Sequence, residues 1–152
     1  MTRRILVPLT SALLAAAVVV GGQAMAAGKG TKTQKVQGVA HAHTTGDGSN
    51  IAGNTKDKYV GAGAVVYQNA QVGVGKKIPF TSFAKNGSYK GVATADTVIN
   101  PDATLTISNC TLKITGGGGA YKGATGKGTC SGGADKNQNF TVNYKATLKV
   151  PK

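Results

Sequence analysis

The chain is 152 residues long and strongly basic, with 18 Lys and Arg against five acidic residues. It has no Trp and no Glu, and its only arginines are Arg3 and Arg4. That composition argues against a dedicated nucleic-acid binder, which would use Arg for bidentate phosphate contacts and aromatic faces for base stacking.

The N-terminus has three zones. Arg3 and Arg4 form a short basic region, residues 5–20 are mostly apolar, and Gly21, Gly22 and Gln23 break the run. Ala24-Met25-Ala26 then supplies the small-x-small pattern of a signal-peptidase site. Residues 1–26 therefore read as a cleaved signal peptide, cut between Ala26 and Ala27. The apolar run falls short of the roughly 20 residues a spanning helix needs, so no membrane span is expected after cleavage. The flank of Arg3-Arg4 is poor for a twin-arginine signal, which favours the general secretion route. The expected destination is the exterior or the cell surface, by bacterial export.

Cleavage leaves 126 residues carrying 16 Lys and five Asp, a net charge of +11. Such a field keeps an exported protein soluble and draws it toward polyanions. Residues 27–35 are rich in Gly, Lys and Thr and are expected as a flexible leader. Residues 36–152 are expected to form one domain, large enough for a modest core.

No segment of that domain carries an apolar helical stripe, and Gly, Thr, Val and Asn dominate it. The pattern predicts strands at residues 36–43, 58–67, 78–83 and 89–99, separated by turn signals such as Asn86-Gly87 and Asn100-Pro101-Asp102. Residues 104–115 form a further strand with a parity change. Leu105 and Ile107 share one phase; Cys110, Leu112 and Ile114 share the other. An extra residue near Ser108-Asn109 would bring both groups inside, which predicts a β-bulge. The last strand is the clearest: Phe140, Val142, Tyr144, Ala146, Leu148 and Val150 alternate with polar residues. Tyr-x-Gly units start at 59, 89 and 121, about thirty residues apart, a spacing that suggests a regular barrel or sandwich.

Cys110 and Cys130 are the only cysteines. An even number in an exported protein favours a disulfide. Their midpoint, residue 120, falls where a hairpin between residues 107–115 and 126–131 would turn. The two would then face each other on neighbouring strands. Two cysteines alone cannot complete a zinc site.

The segment running from Ile114 and Thr115 through Gly116, Gly117, Gly118 and Gly119 to Ala120, Tyr121, Lys122, Gly123, Ala124, Thr125 and Gly126 resembles a known signature. It is similar to the Gly-Gly-Thr-Gly-x-Tyr/Phe-x-Gly-Ala-Thr-Gly pattern of dirigent proteins and allene oxide cyclase-like β-barrels, which small secreted bacterial proteins also carry. The resemblance covers residues 87–150 and departs at Gly118, where Thr is usual. It implies an eight-stranded antiparallel barrel with a central cavity, often assembled into oligomers. Gly116, Gly117, Gly119, Tyr121, Gly123 and Gly126 would be its structural turn motif, with glycines permitting positive φ. The family's cyclase site is expected to use Glu and its dirigent pocket Asp with Arg. Neither Glu nor Arg occurs after the signal, so no catalytic residue transfers.

Other chemistry is sparse. His41-x-His43 puts two imidazoles on one strand face, and Asp47 is a candidate third metal ligand, but two exposed histidines are the expected reading. Gly116–Gly119 lacks the Gly-Lys-Ser/Thr helix start of a phosphate loop. Four of the five Asp sit at turns or strand ends. Asp96 is the exception, expected to point outward and to be a catalytic candidate only if it points into a barrel. The three Asn-x-Ser/Thr matches are chance in a bacterial export context.

The expected fold is all-β, an antiparallel barrel of about eight strands with one hairpin disulfide; an immunoglobulin-like sandwich is the alternative. The expected role is a non-catalytic exported domain that binds a small apolar ligand or acts as a surface component, with no cofactor. A cyclase- or dirigent-like enzyme would instead need an inward Asp or Tyr in a closed pocket. A lysine-driven binder of anionic wall polymer or nucleic acid would need its lysines gathered on one face. Polyanion contact is expected to be weak, with no specific nucleic acid.

Overall fold

The computed structural model describes residues 30–46 and 48–152. The signal region, the Ala26/Ala27 cut and Asp47 lie outside them. The strands are β1 (Thr31–Thr44), β2 (Ile51–Asp57), β3 (Gly61–Tyr67), β4 (Lys76–Ala84), β5 (Gly87–Ile99), β6 (Leu105–Gly119), β7 (Thr125–Ala134) and β8 (Asn139–Pro151). Each pairs antiparallel with the next and β8 returns to β1, so the sheet closes into an eight-stranded barrel. A single closed sheet rules out the sandwich alternative and leaves no open edge. Residues 45–46 and 48–50 with loops 68–75, 100–104 and 135–138 surround one end, called the mouth; turns 58–60, 85–86 and 120–124 lie at the other, the base.

On β8 the alternation holds throughout: Val142, Ala146, Leu148 and Val150 are buried between exposed neighbours. The bulge on β6 is present. Pairing to β7 slips between Ile107 and Cys110, and Asn109 takes φ 47°. Ile107 and Cys110, of opposite parity in sequence, consequently both pack into the core.

Four segments differ from the expected pattern. Strand β1 starts at Thr31, so residues 31–35 are not a free leader; β8 runs on to Pro151 and offers them pairing partners. Strand β2 was not foreseen, because its inward positions Gly53, Thr55 and Asp57 carry no apolar alternation. Residues 58–60 form a turn rather than the start of a strand, because Asp57 Oδ1 accepts the N–H groups of Tyr59 at 2.7 Å and Val60 at 3.1 Å. The Gly116–Gly119 run is the end of β6, paired to β5 from Gly87 to Lys90, and the hairpin turns at 120–124 instead. Gly117 can lie there because it has no side chain: a Cβ would strike the carbonyl oxygens of Ser88 and Tyr121.

Cys110 and Cys130 are direct register partners and form a disulfide, with Cα atoms 4.9 Å apart. Closing the loop between them, a sequence separation of 20, contributes roughly 3 kcal/mol in the chain-entropy model. A disulfide fits an oxidising compartment. Among the described residues no helix is long and apolar enough to cross a membrane.

Candidate binding cup

Bulk is distributed unevenly along the barrel axis. Toward the base, Phe80, Tyr89, Tyr121, Ile114 and Leu148 fill the interior. Tyr121 folds in from the 120–124 turn and its ring meets Tyr89 edge-on, centroids 5.7 Å apart. Tyr89 meets Phe80 at 6.5 Å and Phe80 meets Tyr67 at 6.3 Å, so an aromatic column rises from the base to mid-barrel. The Tyr-x-Gly spacing marks one hairpin per unit: Tyr59, Tyr89 and Tyr121 all sit near the base, where β3, β5 and β7 begin.

Above Tyr67 the inward side chains of β5 shrink to Ala93, Ala95 and Thr97. Small residues there leave an open apolar cup of about 460 Å³. Its walls include Ile51, Ile78, Leu105, Ile107, Phe140 and Val142; Tyr67 and the Cys110–Cys130 pair line it as well. Val72 and Ile99 stand at the rim, 48% and 62% exposed. Loop 68–75 is fastened beside the mouth by β5. Gly73 N–H donates to Thr97 Oγ1 at 2.6 Å, and Gly75 N–H donates to Asp96 Oδ1 at 2.7 Å.

Below the cup lies a smaller polar layer of Thr55, Asp57, Ser82, Tyr89 and Tyr144. The space beside Thr55, Ser82, Tyr89 and Tyr144, whose other walls include Val36, Val65, Leu112 and Ile114, is about 20 Å³, room for one water. Asp57 Oδ2 and Tyr144 Oη are buried without a well-aligned hydrogen-bond partner, although Asp57 and Thr55 stand close enough to act on the phenol. Burial, with Tyr89 and Asp57 nearby, pushes the Tyr144 phenol far above its usual range. Burial likewise pushes Tyr89 and Tyr67 up to about 12. These phenols stay protonated at any physiological pH.

The sequence-derived candidates fall in separate places. Asp96 points outward, where its Oδ2 accepts from Asn109 Nδ2 at 2.8 Å. It secures the bulge and loop 68–75, and those bonds hold its carboxyl below the usual carboxylate range. His41 and His43 sit on the outer face of β1; His43 Nδ1 lies 3.1 Å from Asn139 Oδ1 and His41 Nδ1 lies 3.4 Å from Thr141 Oγ1. Among the described residues no group of three or more His, Cys, Asp or Glu could hold a metal ion, and Asp47 is outside them. Of the glycine motif, Gly119 as the last residue of β6 and Gly123 in the turn take φ 59° and 71°, while Tyr121 is core. Gly126 lies within β7, where a Cβ would strike the Thr147 carbonyl oxygen. Asp57 is the inward carboxylate that sequence reasoning missed. Its place just before the strand expected at residues 58–67, among the aspartates at turns or strand ends, concealed its burial.

Fold and site together define an eight-stranded up-and-down barrel, plugged with aromatics at its base and open to an apolar cup at its mouth. No family model matches the chain. No curated protein and no solved structure matches it.

Proposed function

We propose that this chain is an exported, non-catalytic barrel that holds a small apolar molecule in its mouth. The observation that carries the reading is the cup of about 460 Å³ with isoleucine, leucine, valine and phenylalanine walls. That volume lies in the range of small-molecule sites, which are concave and mostly apolar. The disulfide and the N-terminal signal pattern support export. The resemblance to dirigent and allene oxide cyclase-like barrels supports a cavity-based role.

Asp57 with Tyr89 and Tyr144 is the inward carboxylate and phenol set that an enzyme of that kind would need. Inside the barrel the space beside these tyrosines is about 20 Å³, too small for a substrate, and Asp57 and Tyr144 otherwise border the open outer hollow of about 790 Å³.

The test is native mass spectrometry of the secreted protein from its own host, followed by titration of the emptied protein with an apolar fluorescent probe. The expected result is one retained small molecule, and probe binding at one site per chain. Ala95→Leu, which fills the cup, should abolish probe binding while the barrel still unfolds cooperatively. Probe binding unchanged by Ala95→Leu would overturn the reading.

A further inference from the structure

We propose that the outer face of β6, β7, β8, β1 and β2 is a second binding site, a groove that takes an acidic polysaccharide. The lysines that look scattered in sequence are gathered here by register. Lys113 on β6 stands opposite Lys127 on β7; Lys127 stands opposite Thr147 on β8, and Thr147 opposite Lys35 on β1. In the next rows Lys145 pairs with Gln37, and Val39 pairs with Lys56. Lys149 on β8 and Lys58 in the turn after β2 bring the lysines named here to seven, all exposed. The single carboxylate in the five strands, Asp57, borders the larger hollow of this face but is buried, 6% exposed.

The other side of the barrel has a different character. The outer positions of β3, β4 and β5 include Ala62, Ala64, Val66, Pro79, Phe83 and Val92, with Lys77 and Lys90 as their lysines, Lys76 at the start of β4 and Lys85 in the turn after it. Charge is therefore one-sided. Placing Lys113 directly across from Lys127 costs stability, since like charges opposite each other repel. A bound polyanion would relieve that repulsion.

The shape fits a chain-like ligand. Two adjoining hollows of about 790 Å³ and about 330 Å³ share Gln37, Thr129 and Lys145 and make one continuous groove. Its chemistry favours sugar over nucleic acid. The cations are all ammonium groups, which act as point charges; no guanidinium fork is present to grip phosphate. Between them stand hydroxyl and amide groups of Thr129, Ser131 and Asn143, suited to sugar hydroxyls. The groove has one exposed ring, Tyr59, 45% exposed, with Lys58 Nζ 5.6 Å from its centroid. A single-stranded nucleic acid would call for a series of stacking faces.

The test measures binding of the mature protein to labelled dextran sulfate, uncharged dextran and a single-stranded oligonucleotide by fluorescence anisotropy. Dextran sulfate should bind, weaken steeply as salt rises, and outcompete the oligonucleotide at equal charge concentration. Uncharged dextran should bind far more weakly. The triple variant Lys56→Ala/Lys127→Ala/Lys145→Ala should lose at least about tenfold in affinity, while Lys77→Ala/Lys90→Ala on the opposite face changes it less than about twofold. Cooperative thermal unfolding and unchanged apolar-probe binding in both variants would separate this groove from the cup. Equal losses in the two variants, or an oligonucleotide that competes as well as dextran sulfate, would overturn the proposal.

Discussion

Asn109 donates its side-chain amide to Asp96 across the one-residue slip in β6, at 2.8 Å. The same carboxylate accepts the Gly75 N–H at 2.7 Å, so one surface aspartate ties the bulge to loop 68–75. The Asn109 bond first, and the Gly75 bond second, hold the Asp96 carboxyl below 3.8. A depressed carboxyl stabilises the fold above its unfolded value and loses that contribution as pH falls through its lower folded value. The melting temperature should therefore drop on acidification below about 3.8, and Asp96→Ala should show a smaller drop over that window. A pH series of thermal melts on both proteins decides it; identical slopes would refute the assignment.

Removing the disulfide by Cys110→Ala with Cys130→Ala should cost about 3 kcal/mol through restored chain entropy alone. Because the pair also lines the cup, the variant should bind apolar probe with altered affinity even where it is fully folded. Urea unfolding and probe titration measure the two effects separately.

Gly116 and Gly117 are neighbours with opposite tolerance. A Cβ at Gly116 would meet only the Lys90 side chain, at 3.4 Å, whereas one at Gly117 would strike two backbone carbonyl oxygens. Gly117→Ala should destabilise by about 1–3 kcal/mol, as overpacking does. Gly116→Ala should be neutral or slightly stabilising. Denaturant midpoints of the two variants provide the comparison.

The polar layer predicts an inversion. Tyr144 Oη is buried without a well-aligned partner, so Tyr144→Phe should leave stability unchanged or raise it by about 1 kcal/mol. Asp57 accepts two backbone N–H groups at the β2–β3 turn, so Asp57→Ala should cost about 1–3 kcal/mol. In alkali, Tyr67 and Tyr89 lose their neutral-form advantage as pH rises from 10 toward about 12. Their phenolate absorbance should appear together with unfolding, measured by parallel absorbance and circular dichroism titration.

How much was legible depended on whether a signal was local. The β8 alternation and the parity change around Ser108-Asn109 are local facts, and both translated directly into the fold. The Cys110–Cys130 pairing followed from a symmetric hairpin register. Strand β2 was not legible, because Ile51, Gly53, Thr55 and Asp57 face the interior with little apolar mass. Pairing on both sides, with β1 and β3, makes it a strand. The Gly116–Gly119 run looked like a turn for the same reason in reverse: glycine permits a turn, but β5 was there to pair it.

The sequence by itself determined an all-β chain, its bulge, its disulfide and the inward set of its last strand, because side-chain period and hairpin register act over a few residues. Closure decided the rest. Only when β8 met β1 did small residues on β5 lie opposite Phe140 and Val142 and leave a cup. Only then did Lys35, Lys113, Lys127 and Lys145, far apart along the chain, share one face. Those groupings depend on which strands become neighbours, and strand neighbourhood around a closed barrel is set by the packing of the whole sheet.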